Sequence, residues 1–314
     1  MPEIQENIGL ADHTTFHIGG PAKYFVVVNN LEELGGALKY SQKNKLEYFI
    51  LGGGSNILVS DKGYDGLVIK ISNSGIKKKD NLVEIGAGTM LSKALGDTLG
   101  AGLLGLEWAA GIPGTVGGAV YGNAGAYGGE MSQNVKIVNV VRREKIKKLT
   151  NKDCRFGYRT SIFKEAGYDN KDIIFSVILE LKKVTKAEID SAKAVIKKNL
   201  KKRDGKFKGL SAGSTFKNIE LSEEEIRKFK DKFAELPEEF VGYKKIPAAW
   251  LIDQCDLKGK TIGGAKVSEN HAGIVVNAGQ ATAEDIVMLI SYIKQQVRDR
   301  FGQQLQEEIE YVGF

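Results

Sequence analysis

Arg159 lies in an aromatic and basic segment, CRFGYRTSIFK, between Tyr158 and Ser161. A lone arginine is more often half of a surface ion pair. A planar guanidinium beside a tyrosine, a serine and a glycine turn is better placed to clamp a carboxylate through paired hydrogen bonds. Ser214 follows an Ala-Gly turn in GLSAGSTFKN, where a hydroxyl commonly closes a turn or caps a helix. Glu307, Glu308 and Glu310 cluster in the C-terminal QLQEEIEYVG, a pattern that also suits the exposed edge of a sheet. His271 has no partner at metal-ligand spacing, and Cys154 and Cys255 stand far apart without a CxxC. Neither a metal site nor a disulfide framework is expected.

Two glycine-rich stretches offer backbone in place of side chains. GGGSNILVSDKG begins at Gly52; Gly52, Gly53 and Gly54 are followed by Ser55 and Asn56. Consecutive backbone N–H groups with two short polar side chains can cradle a pyrophosphate. The same residues also read as a glycine turn joining two strands. The second stretch, residues 105–131, interleaves its glycines and alanines with Leu106, Trp108, Ile112, Val116, Val120 and Tyr121. Small residues pinned by apolar anchors suit either a tightly packed loop or backbone moulded around a large flat partner. No G-x-G-x-x-G follows a strand, so a Rossmann dinucleotide site is unsupported. Gly259-Lys260-Thr261 fails as a P-loop because Gln254 occupies the place of the upstream glycine.

The elements around these residues follow from periodicity. Residues 24–29, 48–51 and 66–71 read as strands, with a helix at 31–44 between the first two. Residues 82–88, 135–141 and 172–181 are further strands, and 90–102 is a helix. Thr185 with Glu188 forms a capping box opening a helix to about residue 200. Residues 220–236 form a charged amphipathic helix, 248–259 an apolar helix ending in glycine, and 272–277 a strand. The helix 282–302 is the clearest, with Thr282 as cap, Asp285 three residues on, and an apolar face of Ile286, Leu289, Ile290, Ile293 and Val297. The chain closes on a strand.

At 314 residues there is room for two or three domains with proper cores. No apolar run approaches the length of a membrane span, and the N-terminus carries no secretory pattern, so membrane insertion is not expected and the expected compartment is the cytoplasm. The net charge of +6 is spread over separate lysine runs at 77–79, 147–148 and 197–203, without the interleaved aromatics of a base-stacking surface. Nucleic acid is therefore not an expected partner, and the basic balance suits an anionic small substrate.

Taken together, several segments resemble the UDP-N-acetylenolpyruvoylglucosamine reductase family, in order and nearly end to end. They are TTFHIGGPA, LGGGSNILVSDKGYDGLVI, AAGIPGTVGGAVYGNAGAYGGE, CRFGYRTSIFK, SAGSTFKN, AAWLIDQCDLKG, IGGAKVSENHAG and the closing strand. The resemblance implies an α+β fold. A two-part FAD-binding module of the vanillyl-alcohol oxidase (PCMH) type, at 1–72 and 73–206, would precede a C-terminal α+β substrate-binding domain at 207–314. It implies FAD held by Gly52, Gly53, Gly54, Ser55 and Asn56 and by Gly114, Thr115, Gly117, Gly118 and Ala119, with the glycines of 111–118 against the cofactor. NADPH would supply hydride and UDP-N-acetylglucosamine enolpyruvate would accept it. By motif, Arg159 supports the developing charge with Glu308, and Ser214 gives the proton. Tyr158, Lys217 and Asn218 match substrate-binding positions, and His271 is structural or peripheral. The register of Glu308 rests on Leu305 and Ile309, in the family pattern Leu-x-x-Glu-Val/Ile.

The chain departs from the pattern in several places. His17 stands where arginine is common, Glu310 replaces a frequent arginine, and the extra tyrosine-bearing loop of one subclass is absent. A monomer is expected. The alternatives are another flavin oxidase or dehydrogenase of the same fold acting on a different carboxylate, and a basic nucleic-acid-binding module.

Overall fold

The computed structural model describes residues 2–142, 145–165, 172–206 and 208–314. The chain divides into two compact units. The first holds the residues through Gly9 with Pro21–Gly54 and Tyr64–Asp204. The second holds Leu10–Gly20, Ser55–Gly63 and Gly205–Phe314.

The first unit is built on two larger sheets, with two short two-stranded sheets beside them. One has four strands in the order Gln5–Gly9, Pro21–Val28, Tyr64–Ile71, Tyr48–Leu51. Its inner pairings are parallel, and only the edge strand Gln5–Gly9 runs antiparallel. Parallel strands covered on both faces read as continuous apolar runs, as Phe25, Val26, Val28, Leu67, Val68 and Ile69 do, all buried. The other sheet is antiparallel, in the order Lys145–Thr150, Val135–Arg142, Ile173–Glu180, Leu82–Gly86, Ile76–Lys79. Helices α1 (Leu31–Lys43), α2 (Leu91–Gly100), α3 (Val116–Tyr121), α4 (Ile162–Glu165) and α5 (Lys186–Lys206) complete the run. The side chain of Asn30 caps α1 by accepting from the Glu33 N–H at 2.9 Å.

The second unit carries α6 (Glu223–Lys232), α7 (Glu238–Tyr243), α8 (Ala248–Gln254) and α9 (Ala283–Phe301). Helix α9 buries Ile286, Leu289, Ile290, Ile293, Val297 and Phe301 along one stripe. It opens on the Thr282–Asp285 capping box and ends at Gly302 in the left-handed region at φ 68°. The Asp61 carboxylate also accepts from the Ala283 N–H, at 2.8 and 3.0 Å, tying the loop after Asn56 to this helix. The strand Glu310–Val312 pairs in parallel with Ile57–Val59. That pairing between distant parts of the sequence is why Ser55–Gly63, which the sequence places in the first block, clusters with the C-terminal residues.

The elements differ from expectation in several places: the helix expected at 248–259 ends at Gln254, and the strand expected at 272–277 is confined to Val275–Asn277. The charged segment 220–236 is helical only over Glu223–Lys232, and Pro237 starts the separate α7. The closing strand is confined to Glu310–Val312. Helix α5 continues to Lys206, beyond the expected end near residue 200. The lysine-rich runs Ile76–Lys79 and Lys145–Thr150 are edge strands, where charge blocks pairing with other chains.

Candidate functional site

The two glycine stretches meet inside the first unit. A Cβ on Gly53 would lie 2.7 Å from the Gly114 Cα, and one on Gly52 would lie 2.8 Å from the Thr115 Oγ1. Only glycine lets these two backbones come so close. Gly114, at φ +112°, passes its carbonyl to the Leu91 N–H at 3.0 Å, while the Val116 and Gly117 N–H groups bind the carbonyls of Thr89 and Ala87. Thr115 then caps α3 by accepting from the Gly118 N–H at 3.3 Å. The glycine-rich run is thus partly helical, held by a threonine cap and not only by turns.

The glycines of this stretch divide by what they face. Gly117 packs on Ala87, Gly105 on Asn134, and Gly129 on Trp108, each within 2.8 Å of an added Cβ. Gly111 faces Arg203 and Leu200 of α5. Gly105, Gly117 and Gly129 serve packing within the unit, and the exposed Gly111 borders α5. Gly118 is exposed, and the nearest atom to an added Cβ is the Thr115 Oγ1 at 3.6 Å. The half-buried Gly52 and Gly53 and the exposed Gly118 therefore present backbone without side chains, with Gly54, Gly114, Thr115 and Ala119 buried. A flat, polyanionic cofactor fits such a surface. The chain crosses from the first unit to the second between Gly54 and Ser55, so Ser55 and Asn56 belong to the second.

Arg159 is built into a tight turn. Gly157 and Thr160 exchange backbone hydrogen bonds at 3.1 and 3.2 Å, and Arg159 between them takes a left-handed φ of 55°. A non-glycine residue in that region is uncommon and is held by its surroundings. Asn123 donates to the Gly157 carbonyl at 2.9 Å, and Ser161 donates to the Tyr121 carbonyl at 2.6 Å. The Arg159 guanidinium carbon lies 5.6 Å from the centre of the Tyr158 ring, within range of a cation–π contact. The half-buried pair Tyr158 and Arg159 is thus anchored to the exit of α3.

Ser214 and Glu308 come together in the second unit through their backbones. The Glu308 N–H donates to the Thr215 carbonyl at 2.9 Å, the Lys217 N–H to the Gln306 carbonyl at 2.9 Å, and Phe216 bridges Glu307. Gly213, at φ +76°, turns the chain into this pairing. The SENHAG turn braces it from behind: the Gly273 carbonyl accepts from the Thr215 N–H at 2.9 Å, and the Thr215 hydroxyl accepts from the Val275 N–H. His271 Nδ1 accepts from the Gly273 N–H at 3.2 Å within that turn. The three glutamates separate by environment. Glu307 forms a half-buried ion pair with Lys294 at 2.8 Å, Glu310 lies in the closing strand, and Glu308 sits half-buried beside the Ser214 segment.

Lys217 is half-buried. Asn218 is exposed, and its Oδ1 accepts from the Ala248 N–H at 3.2 Å at the start of α8. Arg159 and Tyr158 belong to the first unit, and Ser214, Lys217, Asn218 and Glu308 to the second. Asn56 has a structural task that local sequence does not disclose. Its Nδ2 donates to the Glu308 carbonyl at 3.0 Å, and its own carbonyl accepts from the Glu310 N–H at 3.0 Å. Lys294 and Arg203 are likewise visible only once the helices are placed. Among the described residues no group of three or more His, Cys, Asp or Glu side chains is arranged to hold a metal, and no helix is long and apolar enough to cross a membrane.

Comparison with known proteins divides the chain along its sequence. Residues 22–144 match an FAD binding domain, and residues 205–312 match the C-terminal domain of UDP-N-acetylenolpyruvoylglucosamine reductase. The reductase of that name from Anoxybacillus flavithermus is 39% identical over 313 residues, 99% of this chain and 94% of the relative. The one from Solibacter usitatus is 37% identical over 314 residues, 99% and 97% of the two chains. The chain belongs to the UDP-N-acetylenolpyruvoylglucosamine reductase family. The crystal structure of the Thermus caldophilus member agrees, with a TM-score of 0.77 at 32% identity over 99% of this chain and 100% of that one. The family places the chain among FAD flavoprotein oxidoreductases of peptidoglycan synthesis. The expected α+β class holds, with an FAD-binding module followed by the reductase C-terminal domain.

Proposed function

We propose that this chain reduces UDP-N-acetylglucosamine enolpyruvate to UDP-N-acetylmuramate in the cytoplasm, with NADPH as the hydride source and FAD as the bound cofactor. The observation that carries this reading is the pairing of the Ser214 segment with Glu308, through the Glu308 N–H and the Thr215 carbonyl at 2.9 Å. It puts a hydroxyl and a carboxylate on adjacent backbones in a chain of this family.

Bound FAD would accept hydride from NADPH and supply it to the methylene carbon of the enolpyruvyl group. Hydride addition there leaves negative charge on the carbon next to the substrate carboxylate. Arg159 is assigned to that carboxylate, where a positive group strengthens its hold as charge develops. Glu308 is assigned to the polarisation of the same group. Ser214 donates its hydroxyl proton to the carbanion. A serine hydroxyl is a weak acid, so it stays protonated at rest and gives its proton only to a base this strong. No hydrogen bond to another described residue commits the half-buried Ser214 hydroxyl to a structural task. Tyr158, Lys217 and Asn218 are assigned to the sugar nucleotide and its diphosphate. Gly52, Gly53, Gly54, Ser55 and Asn56 are assigned to the FAD pyrophosphate, and Gly114, Thr115, Gly117, Gly118 and Ala119 to the wall on which the flavin rests. Within that wall Gly117 acts indirectly, through its packing on Ala87.

The test is an assay of NADPH oxidation by the purified, FAD-loaded protein. Oxidation that depends on UDP-N-acetylglucosamine enolpyruvate is the expected result. NADPH oxidation by oxygen alone, unchanged when the enolpyruvyl substrate is added, would exclude the assignment.

A further inference from the structure

Helix α5 docks its last turns on the glycine-rich wall of the first unit. The Arg203 Nε donates to the Gly111 carbonyl at 3.1 Å. Gly111 takes φ +75°, and a Cβ there would lie 3.0 Å from both the Arg203 Cδ and the Leu200 Cδ2. One turn earlier, the Tyr127 hydroxyl donates to the Asn199 carbonyl at 3.3 Å, and the same hydroxyl faces the Arg203 guanidinium. The half-buried guanidinium is partly withdrawn from water, which lowers its pKa from the ordinary arginine value. Both ends of the stretch therefore hang on one helix, whose first turn is fixed by the Thr185–Glu188 box.

Three residues beyond Gly111 stands Gly114, whose Cα would lie 2.7 Å from a Cβ on Gly53 and whose carbonyl is held by Leu91. Leu91 fixes one end of the 111–114 arm, and Arg203 fixes the other. We infer that Arg203 is a positioning residue for the cofactor: it sets the carbonyl of Gly111 and through it the arm that forms the cradle wall. This rests on the assignment of FAD to that cradle. A charged donor set against one carbonyl is a stronger restraint than a neutral hydrogen bond. Removing it leaves the arm free to sample positions that do not match a rigid flavin, so affinity falls while the chemistry on Ser214 and Glu308 stays.

The experiment is a fluorescence titration of apoprotein with FAD for the parent, Arg203→Ala and Arg203→Lys. It is paired with kcat at saturating FAD and with melting of each apoprotein. Arg203→Ala is expected to raise the FAD Kd about tenfold, equivalent to ~1.4 kcal/mol. Its kcat at saturating FAD should stay within about twofold of the parent, and Arg203→Lys should recover part of the affinity. An unchanged FAD Kd in Arg203→Ala overturns the inference. So does a loss of kcat that saturating FAD does not restore. If Arg203→Ala is insoluble, Arg203→Met, which keeps the stem and removes the donor, takes its place, and a Kd equal to the parent's overturns the inference. Failure of the parent to bind FAD would instead sink the cofactor assignment, a separate outcome.

Discussion

The side-chain amide of Asn56 donates to the backbone carbonyl of Glu308 at 3.0 Å, joining the glycine loop of the N-terminal sequence to the last segment of the chain. The Asn56 carbonyl takes the Glu310 N–H at 3.0 Å, so one residue holds both sides of Glu308. Asn56→Ala should lower stability by ~1 kcal/mol, the net worth of one hydrogen bond. It should lower kcat by more than that loss of folded protein explains. Thermal melts alongside kcat check this, and a kcat equal to the parent's would show that Glu308 is placed without Asn56.

Gly53→Ala and Gly118→Ala should both weaken FAD binding, for different reasons. Gly53→Ala puts a methyl 2.7 Å from the Gly114 Cα and must move backbone, so FAD Kd should rise at least about tenfold, ~1.4 kcal/mol. Gly118→Ala has room in the protein and sits in a helix, so the apoprotein should gain up to ~1 kcal/mol. FAD affinity should nevertheless fall, because the methyl occupies space assigned to the flavin. Gly118→Ala with tighter or unchanged FAD binding would place the flavin elsewhere.

The neighbouring glutamates offer a sharper comparison. Glu307 is bound to Lys294, and Glu308 is placed beside the Ser214 segment. Glu307→Gln should cost ~1 kcal/mol or less of stability and leave turnover near the parent's. Glu308→Gln should lower kcat by ~100-fold or more, the range of positioned acid–base and charge-stabilising groups. The reverse order of effects would move the catalytic assignment to Glu307.

Acidification should loosen α5 first at its start. The Thr185 backbone N–H, then Lys182 and the Thr185 hydroxyl, hold the Glu188 carboxyl down at about 2, against an ordinary value of 4.5. A carboxylate depressed in the folded state contributes stability in full above its unfolded pKa and loses it as pH falls through the folded value. Glu188→Gln should therefore melt below the parent at pH 7, and the difference should close between pH 4.5 and about 2. A difference that persists unchanged at the acid end would contradict the capping role.

Much of this molecule is readable from local pattern because local forces set it. The apolar runs around Val26 and Ile69, the Thr282–Asp285 box and the Thr185–Glu188 box all appear where periodicity and caps place them. Long-range pairing is the part that sequence conceals. Nothing in Ile57–Val59 announces Glu310–Val312 as its partner, and nothing in Arg203 points to Gly111. Edge strands such as Ile76–Lys79 hide for a different reason: their charges answer to solvent and lack the alternation of a half-buried strand. At the site, residue types were legible through motifs, whereas the division of glycines between packing and exposed backbone required the neighbours' positions.

The most direct measurement separates the two half-reactions of the parent and Ser214→Ala under anaerobic conditions, followed by flavin absorbance. NADPH should bleach both proteins at similar rates. Adding UDP-N-acetylglucosamine enolpyruvate should restore the yellow colour quickly in the parent and slower by orders of magnitude in Ser214→Ala. A parent that bleaches but is not reoxidised by that substrate, or a Ser214→Ala protein slowed equally in both halves, would contradict the account.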